Sequence, residues 1–381
     1  MKTSFITPIL FAITSLLLAG CSKDPGTAAV SESGLAKVKV GYIGITCEAP
    51  LYSAYENGFF RDEGIEVEWV KCEWSQYKDV LALGGFDITH HLIMMFLKPL
   101  EQGLDVKMTA GVHTGCLRVQ TGINSEIRTA KDLKGKRIGV PGMGTPPFIF
   151  ANRVMGDLGM DPGKDVEWRV YPAGELGLAL EKGEVDAIAD SEPIGTMLIA
   201  EGKVKNVADQ GKDKPYADEY CCAVIANGKW ARANPDLTAK ATRAILKGAK
   251  WVQANPRAAA RLSVEKKYLA SNPELNTSAI ANLNYLPSIS GAEKAILGAA
   301  TAMKNAGMLS ATTDVVELAK RAWLPQAGIT DQWIEDLKVD KVAFGQLPPD
   351  QTQRLLAELG VTRDSMVVAT CCAKASKIKL R

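Results

Sequence analysis

Gly64-Ile65-Glu66-Val67-Glu68-Trp69 returns 99 residues later as Gly163-Lys164-Asp165-Val166-Glu167-Trp168, with glycine, valine, glutamate and tryptophan in the same places. The offset holds further along, where Leu81 and Asp87 are matched by Leu180 and Asp186. The segments in front correspond too: Val40-Gly41-Tyr42-Ile43-Gly44 and Ile138-Gly139-Val140-Pro141-Gly142 are each a short apolar run closed by glycine. The chain therefore carries an internal duplication, and the hydrophobic pattern of each copy reads strand, helix, strand, helix, strand.

In the first copy the pattern predicts strands at 37–45, 65–71 and 86–89, with helices at 51–63 and 76–83. The second copy predicts strands at 137–140, 165–171 and 185–189, with helices at 148–158 and 175–182. Strands alternating with helices of this length demand a mostly parallel sheet with helices on both faces. Two copies make two doubly wound α/β lobes. Open α/β sheets bind ligands beyond the carboxyl ends of their strands, which directs attention to three pairs of loops. They are Thr46-Cys47-Glu48 with Gly142-Met143-Gly144-Thr145, Cys72-Glu73-Trp74-Ser75 with Pro172-Ala173-Gly174, and His90-His91 with Asp190-Ser191-Glu192.

The chain begins with Lys2, an apolar run over 5–18 and then Leu18-Ala19-Gly20-Cys21. That layout is expected of an export signal over 1–20, and Leu-Ala-Gly-Cys resembles the bacterial lipobox, which would make Cys21 the lipid attachment site. Residues 22–36 are rich in Ser, Gly, Ala and charge and read as a tether. The remaining 345 or so residues suit two lobes. Apolar residues make up 46% of the chain, enough for a real core, and 45 basic against 43 acidic residues give no field for nucleic acid.

The chain resembles the nitrate/sulfonate/taurine-type substrate-binding proteins of ABC importers, pyrimidine-precursor-binding relatives included. The resemblance covers about 37–337 and rests on three stretches. These are Tyr55-Glu56-Asn57-Gly58-Phe59-Phe60 ahead of Glu63-Gly64-Ile65-Glu66-Val67, Asp132-Leu133-Lys134-Gly135-Lys136-Arg137-Ile138-Gly139-Val140, and Gly183-Glu184-Val185-Asp186-Ala187-Ile188 ahead of Glu192-Pro193. It implies the type II periplasmic-binding architecture, with two lobes joined by crossover strands at 108–120 and 220–226. Lobe 1 is then expected at 37–116 and 223–340, lobe 2 at 117–222, and an extension carrying Cys371-Cys372 at 341–381. It further implies a monomer without cofactor or enzymatic activity, which captures a small molecule by hinge closure and delivers it to a permease and its ATPase. The ligand would be a sulfonate- or nitrate-like anion or a small nitrogen-containing compound.

The candidate ligand-binding residues are Thr46, Cys47, Glu48, Trp74, Ser75, His90, His91, Gly144, Thr145, Asp190, Glu192, Cys221 and Cys222. A Gly-rich turn before a helix at Gly144-Thr145 offers backbone N–H groups to an anion. Carboxylates at Glu48, Asp190 and Glu192 favour instead a ligand with N–H groups or a cation, and Trp74 offers a stacking surface. Cys47, Cys72, Cys116, Cys221, Cys222, Cys371 and Cys372 are seven cysteines beyond Cys21. One reading pairs Cys116 with Cys221 or Cys222 in a disulfide, only one of these vicinal residues facing a given partner on a strand. A second has cleft Cys and His binding a soft metal or metalloid. A third is a pyrimidine-forming-like enzyme in which Cys and His form a nucleophile pair.

Overall fold

The computed structural model describes residues 30–339. The signal segment 1–20, Cys21, most of the tether and the 341–381 extension with Cys371-Cys372 lie outside the described residues.

Two five-stranded sheets form, one per copy of the repeat. The first contains β1 (Ala36–Tyr42), β2 (Ile65–Lys71), β3 (Ile88–Leu92) and β4 (Val106–Thr114). The second contains β5 (Leu117–Gly122), β6 (Arg137–Val140), β7 (Glu167–Val170), β8 (Ala187–Ser191) and β9 (Val204–Asp209). The chain then returns to the first sheet as β10 (Tyr220–Asn227), giving the orders β2-β1-β3-β10-β4 and β7-β6-β8-β5-β9. In each, the first three strands are parallel, and the fourth, which arrives from the other lobe, runs antiparallel to both neighbours. Trp69 and Trp168 thus lie on equivalent outer strands of separate sheets. β3 and β8 are buried throughout because helices cover both faces.

The repeated aspartates do the same job in both lobes. Asp87 accepts the Lys39 N–H (2.8 Å) and returns its own N–H to the Lys39 carbonyl (2.9 Å). Asp186 exchanges the same pair with Arg137 (2.9 and 2.8 Å). Each carboxylate fixes where the third strand of the copy enters beside the first.

The helix expected over 51–63 is two pieces, α1 (Ala49–Glu56) and α2 (Phe59–Asp62), because Gly58 takes the left-handed conformation (φ +79°). α3 (Tyr77–Ala82) and α4 (Met94–Glu101) complete the first copy. α5 (Pro146–Asp157), α6 (Leu176–Glu181) and α7 (Ile194–Ala200) belong to the second. Helices α8 (Gly228–Ala233), α9 (Pro235–Ala254), α10 (Pro256–Glu265), α11 (Pro273–Ile280) and α12 (Ser290–Asn305) follow β10.

Three expectations change. The crossover strand over 108–120 is divided into β4 and β5 at Gly115, which has φ +69°. A Cβ there would stand 2.7 Å from Gly211 Cα, so the two interlobe connections cross backbone to backbone at this pair of glycines. The return crossover is 210–219 rather than 220–226: β10 pairs wholly in the first sheet, so residues 220–222 sit with lobe 1. Finally, His90, His91 and Asp190 are strand residues rather than loop residues. Antiparallel partners arriving from the other lobe extend β3 and β8, pairing His91 with Ala223 and Asp190 with Arg118.

Candidate functional site

The carboxyl ends of the two parallel sheets face each other and are closed. The Thr46 N–H donates to the Glu192 carbonyl across the lobes (3.3 Å). One apolar cluster runs through the junction, joining Ile45, Cys47 and Trp74 of lobe 1 to Val140, Phe150 and Ala189 of lobe 2. Of the candidate residues, all but Ser75 and Gly144 are buried. Those two are exposed, because their loops stand at the outer rim.

Within the buried set the roles divide. Glu48 is spent on its own turn, its carboxylate accepting the N–H groups of Ile43 (2.9 Å), Gly44 (2.8 Å) and Ile45 (3.2 Å) and the Tyr52 hydroxyl (2.7 Å). It shapes the β1 loop and offers nothing to a ligand, contrary to expectation. The Thr46 hydroxyl donates to Asn276 Oδ1 on α11 (2.7 Å). The Thr145 hydroxyl donates to the Gly142 carbonyl (2.6 Å), and Pro146 and Pro147 supply no N–H, so the start of α5 is a poor anion cradle. Glu192 caps α7, accepting the Thr196 hydroxyl (2.8 Å) and N–H (3.2 Å), and pairs with Arg118 (2.6 Å); burial pushes its carboxyl up to about 7.

Other buried polar atoms near these strand ends are left without a partner. Both carboxylate oxygens of Asp190, both ring nitrogens of His90 and of His91, and Nε2 of His113 are buried without a hydrogen bond. Burial drives the Asp190 carboxyl well above the usual range, with Glu192 adding to the shift. Burial also holds His91 down to about 3 and depresses His90 and His113, leaving all three imidazoles neutral. His91 lies among Trp74, Tyr77 and Phe96 (centroids 5.7, 4.5 and 6.0 Å), while His90 meets His113 edge-on at 5.0 Å on the other face of β3. Unsatisfied buried polar groups are rare and costly, which makes the ends of β3, β4 and β8 the candidate site.

Beside them sits a thiol cluster. Cys47, Cys72, Cys116, Cys221 and Cys222 are all free and buried, so the expected disulfide is absent among the described residues. Nor do the vicinal cysteines diverge: bulges in the β10–β4 register around Cys222 turn both thiols to the same side, 3.6 Å apart. Cys221 Sγ lies 3.3 Å from the Gly115 carbonyl and 3.4 Å from His113 Nδ1. Cys72 stands apart, its thiol turned to the Val70 carbonyl.

Sequence reasoning did not single out His113, Arg118, Asp209 or Tyr285. The first had a signal, because His113-Thr114-Gly115-Cys116 is a His-x-x-Cys spacing. Arg118 is the buried cation of the junction and is fully engaged, pairing with Glu192 and Asp209 and donating to Thr196 (2.6, 3.4 and 3.1 Å). Tyr285, reaching the Thr46 carbonyl from the helical remainder (3.0 Å), has no local signature.

The profile of the NMT1/THI5-like family matches residues 46–259, which take in the second sheet and every strand of the first but β1. The chain belongs to that family. The bicarbonate-binding protein CmpA of Synechococcus sp. is 24% identical over 278 residues, 62% of this chain and 60% of that protein, so the match spans about three fifths of that relative. Among solved structures, the alkanesulfonate-binding protein SsuA from Xanthomonas axonopodis pv. citri bound to MOPS superimposes with a TM-score of 0.64 at 19% identity, covering 78% of this chain and all of that one. The periplasmic nitrate-binding protein NrtA from Synechocystis PCC 6803 superimposes with the same TM-score at 17% identity, covering 84% and 92%. This NMT1/THI5-like chain has the periplasmic-binding-protein fold.

Proposed function

We infer that this chain is the extracytoplasmic binding component of an ABC importer, exported and lipid-anchored through Cys21, which captures a small molecule between its lobes and presents it to a permease and its ATPase. The observation that carries this reading is the junction itself. An interlobe bond from Thr46 to Glu192 closes strand ends that carry buried polar groups without partners, His90 and His91 on β3 and Asp190 on β8. A group of that kind gains its missing hydrogen bonds only when a guest is enclosed, which couples capture to closure. The binding of bicarbonate, nitrate and alkanesulfonate by relatives supports the importer reading.

Ligand chemistry follows from charge. Arg118 is committed to Glu192 and Asp209, and Asp190 stands open, so the junction favours a ligand that brings N–H groups or positive charge over a bare oxyanion. A thermal-shift panel of nitrate, bicarbonate, alkanesulfonates, amines, pyrimidines and thiophilic metals tests the reading. One class is expected to stabilise the protein, and Asp190→Asn with Trp74→Ala is expected to abolish the effect. A stabilising ligand indifferent to both substitutions would place capture elsewhere, and a panel without response would overturn it.

A further inference from the structure

We propose that Cys47, His113, Cys116 and Cys222 form a binding site for one soft or borderline metal ion at the hinge end of the interlobe junction, with Cys221 as an adjoining thiol. The site adjoins His90, whose ring meets His113 edge-on, and goes beyond the importer reading by adding a metal ion next to the groups on which that reading rests.

The donor atoms are already gathered. The thiols of Cys47 and Cys222 and a ring nitrogen of His113 lie within 4.8 Å of one another, and so do the thiols of Cys116, Cys221 and Cys222. A tetrahedral ion with metal–sulfur bonds of about 2.3 Å holds its donors roughly 3.5–4 Å apart, so each triad needs a contraction of about 1 Å, and Cys222, common to both, is the donor about which Cys116 would join Cys47 and His113. The donors come from four places: the β1 loop (Cys47), the end of β4 (His113), the hinge turn (Cys116) and the start of β10 (Cys222). That convergence of chain segments is what a preformed site requires and what a row of packed apolar cysteines lacks.

Chemistry agrees with geometry. Nε2 of His113 is buried without a hydrogen-bond partner, so a ring nitrogen is left over for an ion. On binding, the thiols release their protons to solvent, and neither the metal nor the sulfurs change oxidation state. Sulfur-rich sets of this kind select Cu(I), Zn(II) and their heavier congeners over Mg(II) or Ca(II). Lobe 2 supplies no donor but closes the entrance through Glu192, so access depends on lobe opening.

The test uses the full chain, purified reduced and metal-free and titrated with Co(II). We expect tetrahedral ligand-field bands and a thiolate charge-transfer band saturating at one equivalent, displaced by Zn(II) or Cu(I). Cys47→Ser and Cys222→Ser are expected to weaken binding at least about 100-fold, and Cys72→Ser to leave it unchanged. Because a serine variant can misfold, the wild type carries a second readout: bound metal should protect the clustered thiols, and not Cys72, from alkylation. Missing bands, unprotected cluster thiols or a native disulfide among the four would each overturn the site. Missing bands in a protein whose lobes still close on an anion or amine would overturn the metal alone. Normal bands in a protein that never stimulates an importer ATPase would overturn the importer reading and leave the metal site standing.

Discussion

His91 shows how a single residue is set by its surroundings. Enclosed by Trp74, Tyr77 and Phe96, it is held neutral with its titration pushed down to about 3. The unfolded chain takes up a proton near pH 6.5 while the folded chain does not, so this residue's contribution is intact above that pH. It is lost on acidification, at a rate that approaches about 1.4 kcal/mol per pH unit once the pH is well below 6.5. Glu192 works in the opposite direction: with its folded titration raised to about 7, it favours the folded state as pH falls through that range. That opposing effect is common to wild type and His91→Phe and cancels in their difference. Urea unfolding of metal-free protein at pH 7, 6 and 5 should therefore show the advantage of His91→Phe widening by about 0.7 kcal/mol over the first unit and about 1.2 kcal/mol over the second, and parallel curves would contradict the burial argument. The identity of His91 was legible in the sequence. Its place within a strand was not, because the β10 partner that makes it a strand residue lies more than a hundred positions away.

Elements are held by close approaches that local patterns barely announce. α9 crosses α1 at Gly248, where a Cβ would stand 2.2 Å from the Pro50 carbonyl and 3.0 Å from Ala54 Cβ. Gly248→Ala should cost about 1–3 kcal/mol through overpacking. Gly298, on the exposed face of α12, has nothing within 4 Å, so Gly298→Ala should gain about 0.5–1 kcal/mol from helix propensity alone. Equal effects from the two would refute the close crossing. In lobe 2, Arg118 ties β5 to β9 and α7 through Asp209 and Glu192. Arg118→Met would strand buried carboxyls and should cost about 3–5 kcal/mol by chemical denaturation. A loss under about 1 kcal/mol would mean those groups are satisfied without it.

At the scale of the molecule, two lobes meet through connections that touch at Gly115 and Gly211. Small-angle scattering should record a smaller radius of gyration when ligand is added. At a hundred times its dissociation constant the ligand should add about 2.7 kcal/mol to stability. An unchanged radius with full stabilisation would mean that closure precedes binding.

The sequence by itself determined the duplication, the two α/β lobes and the strand ends that face the junction, because hydrophobic period and paired glycines and aspartates are local properties that survive copying. Only the tertiary structure decided what the junction contains. Glu48 is consumed by its own turn, Arg118 by two carboxylates, and the bulge at Cys222 turns neighbouring thiols toward Cys47, Cys116 and His113. Those outcomes depend on which strand from the other lobe arrives beside which, and no window of the sequence holds both partners of such a pairing.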